Sequence, residues 1–191
     1  MELKFPKLLV SISKIREKCY QGYKEGDKFI FQDFTKTPQG FCQGAATVLF
    51  PCLYALTFGA EFPFEENPRS IHTSCPDGGR VEFFTQVLTE AGEIEIGKKQ
   101  EQIGPKPKKM ILSVEEVRGR CFYGYKAGDT FEITGLSTPK NFCGGAYNAL
   151  FPVFFALNFG AKYPFTEDGG TISRVTCPDG ANIRFKVRRM E

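Results

Sequence analysis

Apolar and polar positions alternate near the start of the chain: Leu8, Val10 and Ile12 are apolar, with Lys7, Ser11 and Ser13 between them. A period of two predicts a β-strand with one buried face. Residues 111–117 read the same way. Gly22 and Gly26 then bracket a turn before a second short strand at 27–31, matched by 130–133. From Cys42 to Gly59 the pattern changes. Ala45, Ala46, Val48, Leu49, Phe50, Leu53, Ala55, Leu56 and Phe58 make this stretch apolar on most sides. It reads as a largely buried helix closed by Gly59, which occupies the left-handed position of a helix C-terminus. Pro51 has no N–H to offer the carbonyl of residue 47, so the helix is expected to kink or split there. Pro152 and Gly160 repeat both features. Cys75-Pro76-Asp77-Gly78 reads as a turn into an apolar segment at 81–84, and 182–188 alternates cleanly in the same place of the second half.

These matches are one repeat. Residues 37–66 align with 138–167 without a gap, and seventeen of those thirty positions are identical, which chance does not produce. The match extends upstream from Cys19 to Asp27 against Cys121 to Asp129, and downstream from Cys75 to Gly78 against Cys177 to Gly180. The expected fold is therefore α+β. Two tandem, pseudo-symmetric modules are each roughly β-β-α-β, with one largely buried, Pro-interrupted helix. The first module covers residues 1–90 and the second 110–191. Between them, 91–109 is polar, with Gly97, Gly104, Pro105 and Pro107, and reads as a linker. The alternation at 93–96 allows a short edge strand there. A module this small gains by packing on a partner, and the expected partner is the other copy, as in a fused homodimer.

Composition narrows the class. Hydrophobic residues make up 41% of the chain, enough for real cores and against general disorder. The net charge is +3, and the one dense basic cluster, Lys106, Lys108 and Lys109, is interrupted by Pro107 and reads as solvated linker. No nucleic-acid partner is expected. The first residues hold no apolar signal region, and the apolar segments 48–56 and 149–157 contain proline and are too short to span a membrane. No membrane partner is expected, and the cytoplasm is the default location.

Seven cysteines carry the candidate chemistry. Their number is odd, and in a reducing compartment metal or thiol chemistry gains weight over structural disulfides. Six of them repeat: Cys19, Cys42 and Cys75 in the first module, and Cys121, Cys143 and Cys177 in the second. Cys52 faces Val153 in the alignment and reads as a core filler. Each repeated cysteine falls at a junction: after a strand, at a helix start, or before the last strand. Three such junctions can converge on one point. Three thiolates suit zinc or three corners of an iron–sulfur cluster. A fourth ligand, or an orienting group, would come from Asp77 and Asp179, since the lone His72 has no histidine counterpart. Tyr23 and Tyr125, with Arg16 and Arg118, are shared residues near the first cysteine and candidate pocket groups for a small-molecule ligand. Two other readings stay open. One is a non-catalytic ligand-binding or assembly protein with inert cysteines and no cofactor. The other is a metal-free thiol enzyme using Cys42 and Cys143, whose place at a helix N-terminus favours the thiolate.

The motif order C-x-x-G-x-x-x-G-D-x-F, then C-x-G-A with a following L-F-P, then C-P-D-G before a terminal strand, resembles a family of short prokaryotic proteins of unknown function. Their members are about one copy in length. The resemblance covers nearly everything outside the linker. It implies a tandem fusion of two such units, with the three cysteines of each copy carried over. Members of that family often have Cys-Pro-Trp at the middle cysteine, where this chain has Cys42-Gln43-Gly44 and Cys143-Gly144-Gly145. The resemblance implies a module and names no reaction.

Overall fold

The computed structural model describes residues 4–98 and 107–190. The chain divides into two units, Met1–Gly104 and Pro105–Glu191, each with its own core.

The first unit contains β1 (Leu8–Ile15), β2 (Lys28–Phe31), α1 (Gln43–Thr57), β3 (Ser70–Ser74) and β4 (Val81–Val87). The second repeats the order with β5 (Lys109–Val117), β6 (Thr130–Thr134), α2 (Gly144–Asn158), β7 (Thr171–Thr176) and β8 (Ile183–Arg189). The expected α+β modules are present, and each has one further strand, β3 or β7, just before its third cysteine. Each sheet has four antiparallel strands, in the orders β2-β1-β4-β3 and β6-β5-β8-β7. Period-two patterning decides which face is buried. Leu8, Val10 and Ile12 of β1 pair with Val87, Thr85 and Phe83 of β4, and all six are buried. α1 closes over this face with Ala45, Leu49, Leu53 and Leu56.

The helix runs unbroken across Pro51, and α2 runs across Pro152. The missing proline N–H is tolerated because burial of the helix face holds both turns. At the C-terminus Gly59 (φ 84°) donates to the Leu56 carbonyl, and Ala60 donates to Ala55 at 3.0 Å. This is the paired closure that a left-handed glycine permits, and Gly160 and Ala161 repeat it.

One length difference between the copies is absorbed locally. The second module has an extra residue between helix and third cysteine, and β7 slips register between Ile172 and Val175. Arg174 sits there at φ 65°. The extra residue is thus a bulge in an edge strand, and the rest of the sheet keeps its pairing. After β4, residues 88–95 turn back on the first unit: Leu88 bridges Ile94, and Glu95 donates to the Val87 carbonyl at 2.9 Å. Among the described residues, no helix is long and apolar enough to cross a membrane.

Candidate functional site

The site is assembled from three turns. Each is built by a short local motif, and each delivers one cysteine. In the first, Gly124 donates its N–H to the Cys121 carbonyl at 3.0 Å, with Gly124 at φ 71°. Asp129 then closes the following turn by accepting the Lys126 N–H at 2.7 Å, as Asp27 does for Lys24. In the second, Cys143 is the residue preceding α2, with an extended backbone. Its side chain makes no capping bond, and its N–H is donated to the Tyr125 hydroxyl at 2.8 Å. In the third, Cys177 opens the β7–β8 hairpin, donating its N–H to the Ile183 carbonyl at 3.0 Å.

In the second module these turns enclose one cavity of about 190 Å³. Cys121, Cys143 and Cys177 all line it, together with Tyr125, Asp179 and Asn182. Its walls are almost wholly apolar, with Ala146, Ile183 and Phe185 at the core side. Phe122 (80% exposed) and Tyr123 (54% exposed) line the solvent side. Gly145 belongs to the wall, and a Cβ there would lie 3.6 Å from Pro178 and 3.8 Å from the Cys143 sulfur. The absent side chain leaves the first turn of α2 open to the cavity.

Tyr125 is fixed from behind. Its ring stacks on Phe142, with centroids 5.8 Å apart, and meets Phe131 and Phe185 edge-on. Burial raises the pKa of its hydroxyl. The Cys143 N–H opposes that rise, and the neighbouring Cys143, Cys121 and Tyr123 groups add to it. The hydroxyl therefore stays protonated. Because one lone pair already accepts the Cys143 N–H, its own proton is left for another acceptor.

The first module repeats the frame. Tyr23 accepts the Cys42 N–H at 2.7 Å, lies against Phe41 and Phe29, and has its pKa raised by burial and by Cys42 and Cys19 nearby. A Cβ at Gly44 would lie 3.6 Å from Pro76 and 3.9 Å from the Cys42 sulfur. The hairpin after the third cysteine differs. Arg80 stands where the second module has Asn182, pairing with Asp77 at 3.0 Å and Glu17 at 2.8 Å and lying over the Tyr20 ring.

The expectation of a zinc or iron–sulfur centre is corrected by this geometry. Among the described residues, no group of three or more His, Cys, Asp or Glu side chains is placed to hold a metal ion. Lining a shared cavity is a looser condition than ligation, which needs every sulfur about 2.3 Å from one point. Cys177 also has its sulfur engaged elsewhere: it accepts the Ile183 N–H at 3.3 Å and points its S–H at the Asp179 carbonyl, 3.6 Å away. Asp77, a candidate fourth ligand, is turned onto Arg80. Asp179 lines the cavity and supplies that carbonyl. Metal ligation by Cys19, Cys42 and Cys75, or by Cys121, Cys143 and Cys177, is therefore withdrawn.

Of the other candidates, Tyr23 and Tyr125 sit at the thiols. Arg16 and Arg118 pair with carboxylates of the sheet, Arg16 with Glu82 and Arg118 with Glu116 at 3.1 Å. His72 stacks on Phe84 and bonds to Glu65 at 2.8 Å. All seven cysteines are free thiols, and Cys52 is buried. Asn182 and Phe185 were not singled out from sequence. The available signal was the divergence of Asn182 from Arg80 just after the shared Cys-Pro-Asp-Gly turn. Comparison with protein-family models, curated proteins and solved structures finds no match to this chain.

Proposed function

We propose that this chain is a small-molecule-binding protein whose second module holds a compact, mainly apolar ligand among its three thiols. The cavity lined by Cys121, Cys143, Cys177 and Tyr125 carries this reading. An apolar cavity of about 150 Å³ accepts a benzene-sized molecule. The space here, about 190 Å³, therefore suits a single ring with a short substituent. The Tyr125 proton and the first-turn N–H groups of α2 provide donors for one polar end, such as a carbonyl oxygen. Few polar groups in an apolar wall orient a ligand without holding it by charge. The same reading assigns the protein to the reducing cytoplasm, where seven free thiols persist. It also treats the chain as a fusion of two units of the short prokaryotic family it resembles.

The test is an NMR titration of the full chain with acetophenone, a single ring bearing one carbonyl. Saturable shifts centred on Tyr125, Cys143 and Ile183 are expected. Gly145→Leu, which fills the open wall at a helical position, should abolish them, while Gly44→Leu should leave them intact. Absence of saturable shifts, or shifts indifferent to Gly145→Leu, would refute the proposal.

A further inference from the structure

The three thiols around the cavity are not equivalent. Cys177 has its sulfur occupied by the Ile183 N–H and the Asp179 carbonyl, and it is 9% exposed. Cys121 sits in the turn between β5 and β6, away from any helix N-terminus. Cys143 alone stands at the start of a fifteen-residue helix, with its thiol unused as a cap. The first turn of α2 has no acidic side chain of its own to compete with a Cys143 thiolate for the helix N-terminus. The missing side chain at Gly145 leaves space beside its sulfur. Tyr125, bound to the Cys143 backbone N–H, has its phenol proton available at the same wall.

We infer that Cys143 forms a covalent bond with a small conjugated enone held in this cavity, with Tyr125 hydrogen-bonding the ligand's carbonyl oxygen. This rests on the binding reading above and names its ligand class. The Cys143 thiol ionises, releasing its proton to water. The sulfur lone pair forms a C–S bond at the β-carbon, and the C=C π electrons shift to the carbonyl oxygen as an enolate. The Tyr125 O–H donates to that developing charge. A proton from water then reaches the α-carbon. The sum is thiol plus enone giving a thioether, with no oxidant, reductant or leaving group. The raised pKa of Tyr125 supports its part, because burial favours the protonated phenol, the form that donates.

Phenyl vinyl ketone, a one-ring enone, is the probe, and mass spectrometric mapping of the full chain under limiting reagent is the measurement. A single adduct on Cys143 is expected, ahead of Cys42 and Cys121. Cys143→Ser should abolish it. Tyr125→Phe should slow it by at least about tenfold at neutral pH and flatten the advantage of Cys143 over Cys42. Acetophenone should protect Cys143 in the unmodified protein. If acetophenone binds but the enone labels Cys121 first, or spreads evenly over the half-buried thiols, the covalent step is wrong and the binding proposal survives. If acetophenone fails to bind as well, both fall. Unchanged labelling in Tyr125→Phe overturns the role given to the phenol.

Discussion

Arg69 and Arg189 place their guanidinium groups on equivalent carbonyls from non-equivalent positions. Arg69 donates to Ala60 at 2.7 Å and Leu56 at 3.0 Å, at the end of α1. Arg189 donates to Ala161 at 2.8 Å and Leu157 at 3.4 Å, at the end of α2. In the aligned copies Arg69 faces Gly170, and Val87 faces Arg189. The two positions are partners across the sheet edge: Val87 donates to the Arg69 carbonyl at 3.2 Å, and Arg189 to the Gly170 carbonyl at 2.9 Å. The arginine has moved from the turn before β3 to the end of β8 while its target has stayed. The target is conserved by physics, since neither helix has a basic residue in its last turn and its terminal carbonyls need donors.

This relationship makes the arginine transferable. Arg69→Leu should destabilise the first module by about 3 kcal/mol, because buried carbonyls and the Glu95 carboxylate lose their donor. Arg189→Val should cost less, roughly 1–2 kcal/mol, since Arg189 is only partly buried. Adding Gly170→Arg to Arg189→Val should recover most of that loss, because Gly170 does not need a positive φ and the three atoms nearest a Cβ there all belong to the Arg189 side chain. Urea unfolding of the three variants checks it. No recovery in the double variant would show that the strand position matters more than the guanidinium.

Cys52 should make the protein sensitive to alkaline pH. Burial, with a smaller contribution from Glu65, pushes its thiol up to about 12 from the ordinary 9.0. Above the unfolded value the unfolded chain loses this proton while the native thiol keeps it, so stability falls as pH rises from 9.0 towards 12. The stability is fully present below pH 9.0. Cys52→Val copies Val153 of the second module and should be close to neutral at pH 7. By about pH 11 it should exceed the parent by on the order of 2–3 kcal/mol. Paired urea titrations across pH isolate this one group, and parallel curves would contradict it.

Thr85 is fully buried on β4, and its hydroxyl has no hydrogen-bond partner among the described residues. The second module has Val187 at that point of the sheet. Thr85→Val keeps the shape and removes the orphaned hydroxyl, so it should stabilise the first module by about 1–2 kcal/mol. Thermal unfolding with the two modules' signals resolved by NMR is the measurement, and a lower unfolding temperature for the first module would count against it.

Ala181 holds a left-handed backbone at φ 55° in the hairpin that carries Cys177. The first module uses Gly79 there, at φ 70°. Ala181→Gly should relieve about 1 kcal/mol of strain in the second module. The change is read by urea unfolding of that module, and a loss of stability would be the contrary result.

The duplication, the strands at Leu8, Val10 and Ile12, and the helix closed at Gly59 were legible because each is a local pattern whose period or glycine has one physical meaning. β3 and β7 were harder to see. Ser70, His72 and Ser74 give that edge strand no apolar alternation, and its pairing comes from β4 beside it. The convergence of the second module's cysteines was readable from their junction positions. Their inability to ligate a metal was not, because that depends on where each sulfur points. Cys177 shows the difference: its spacing from Cys143 is set by sequence, while its sulfur is taken by Ile183 and Asp179.

Sequence alone determined that the chain is one α+β unit twice over, which turns hold the repeated cysteines, and that Cys52 belongs to a core. These follow from local periodicity and backbone chemistry, which act over a few residues. Folding in three dimensions decided that the second module's thiols line an apolar cavity without forming a metal site. It also decided that Tyr125 rather than Arg118 stands beside them, and that Arg69, just before β3, and Arg189, on β8, serve equivalent helix ends. Those outcomes depend on ångström-scale distances between residues far apart in the chain, and only packing sets them.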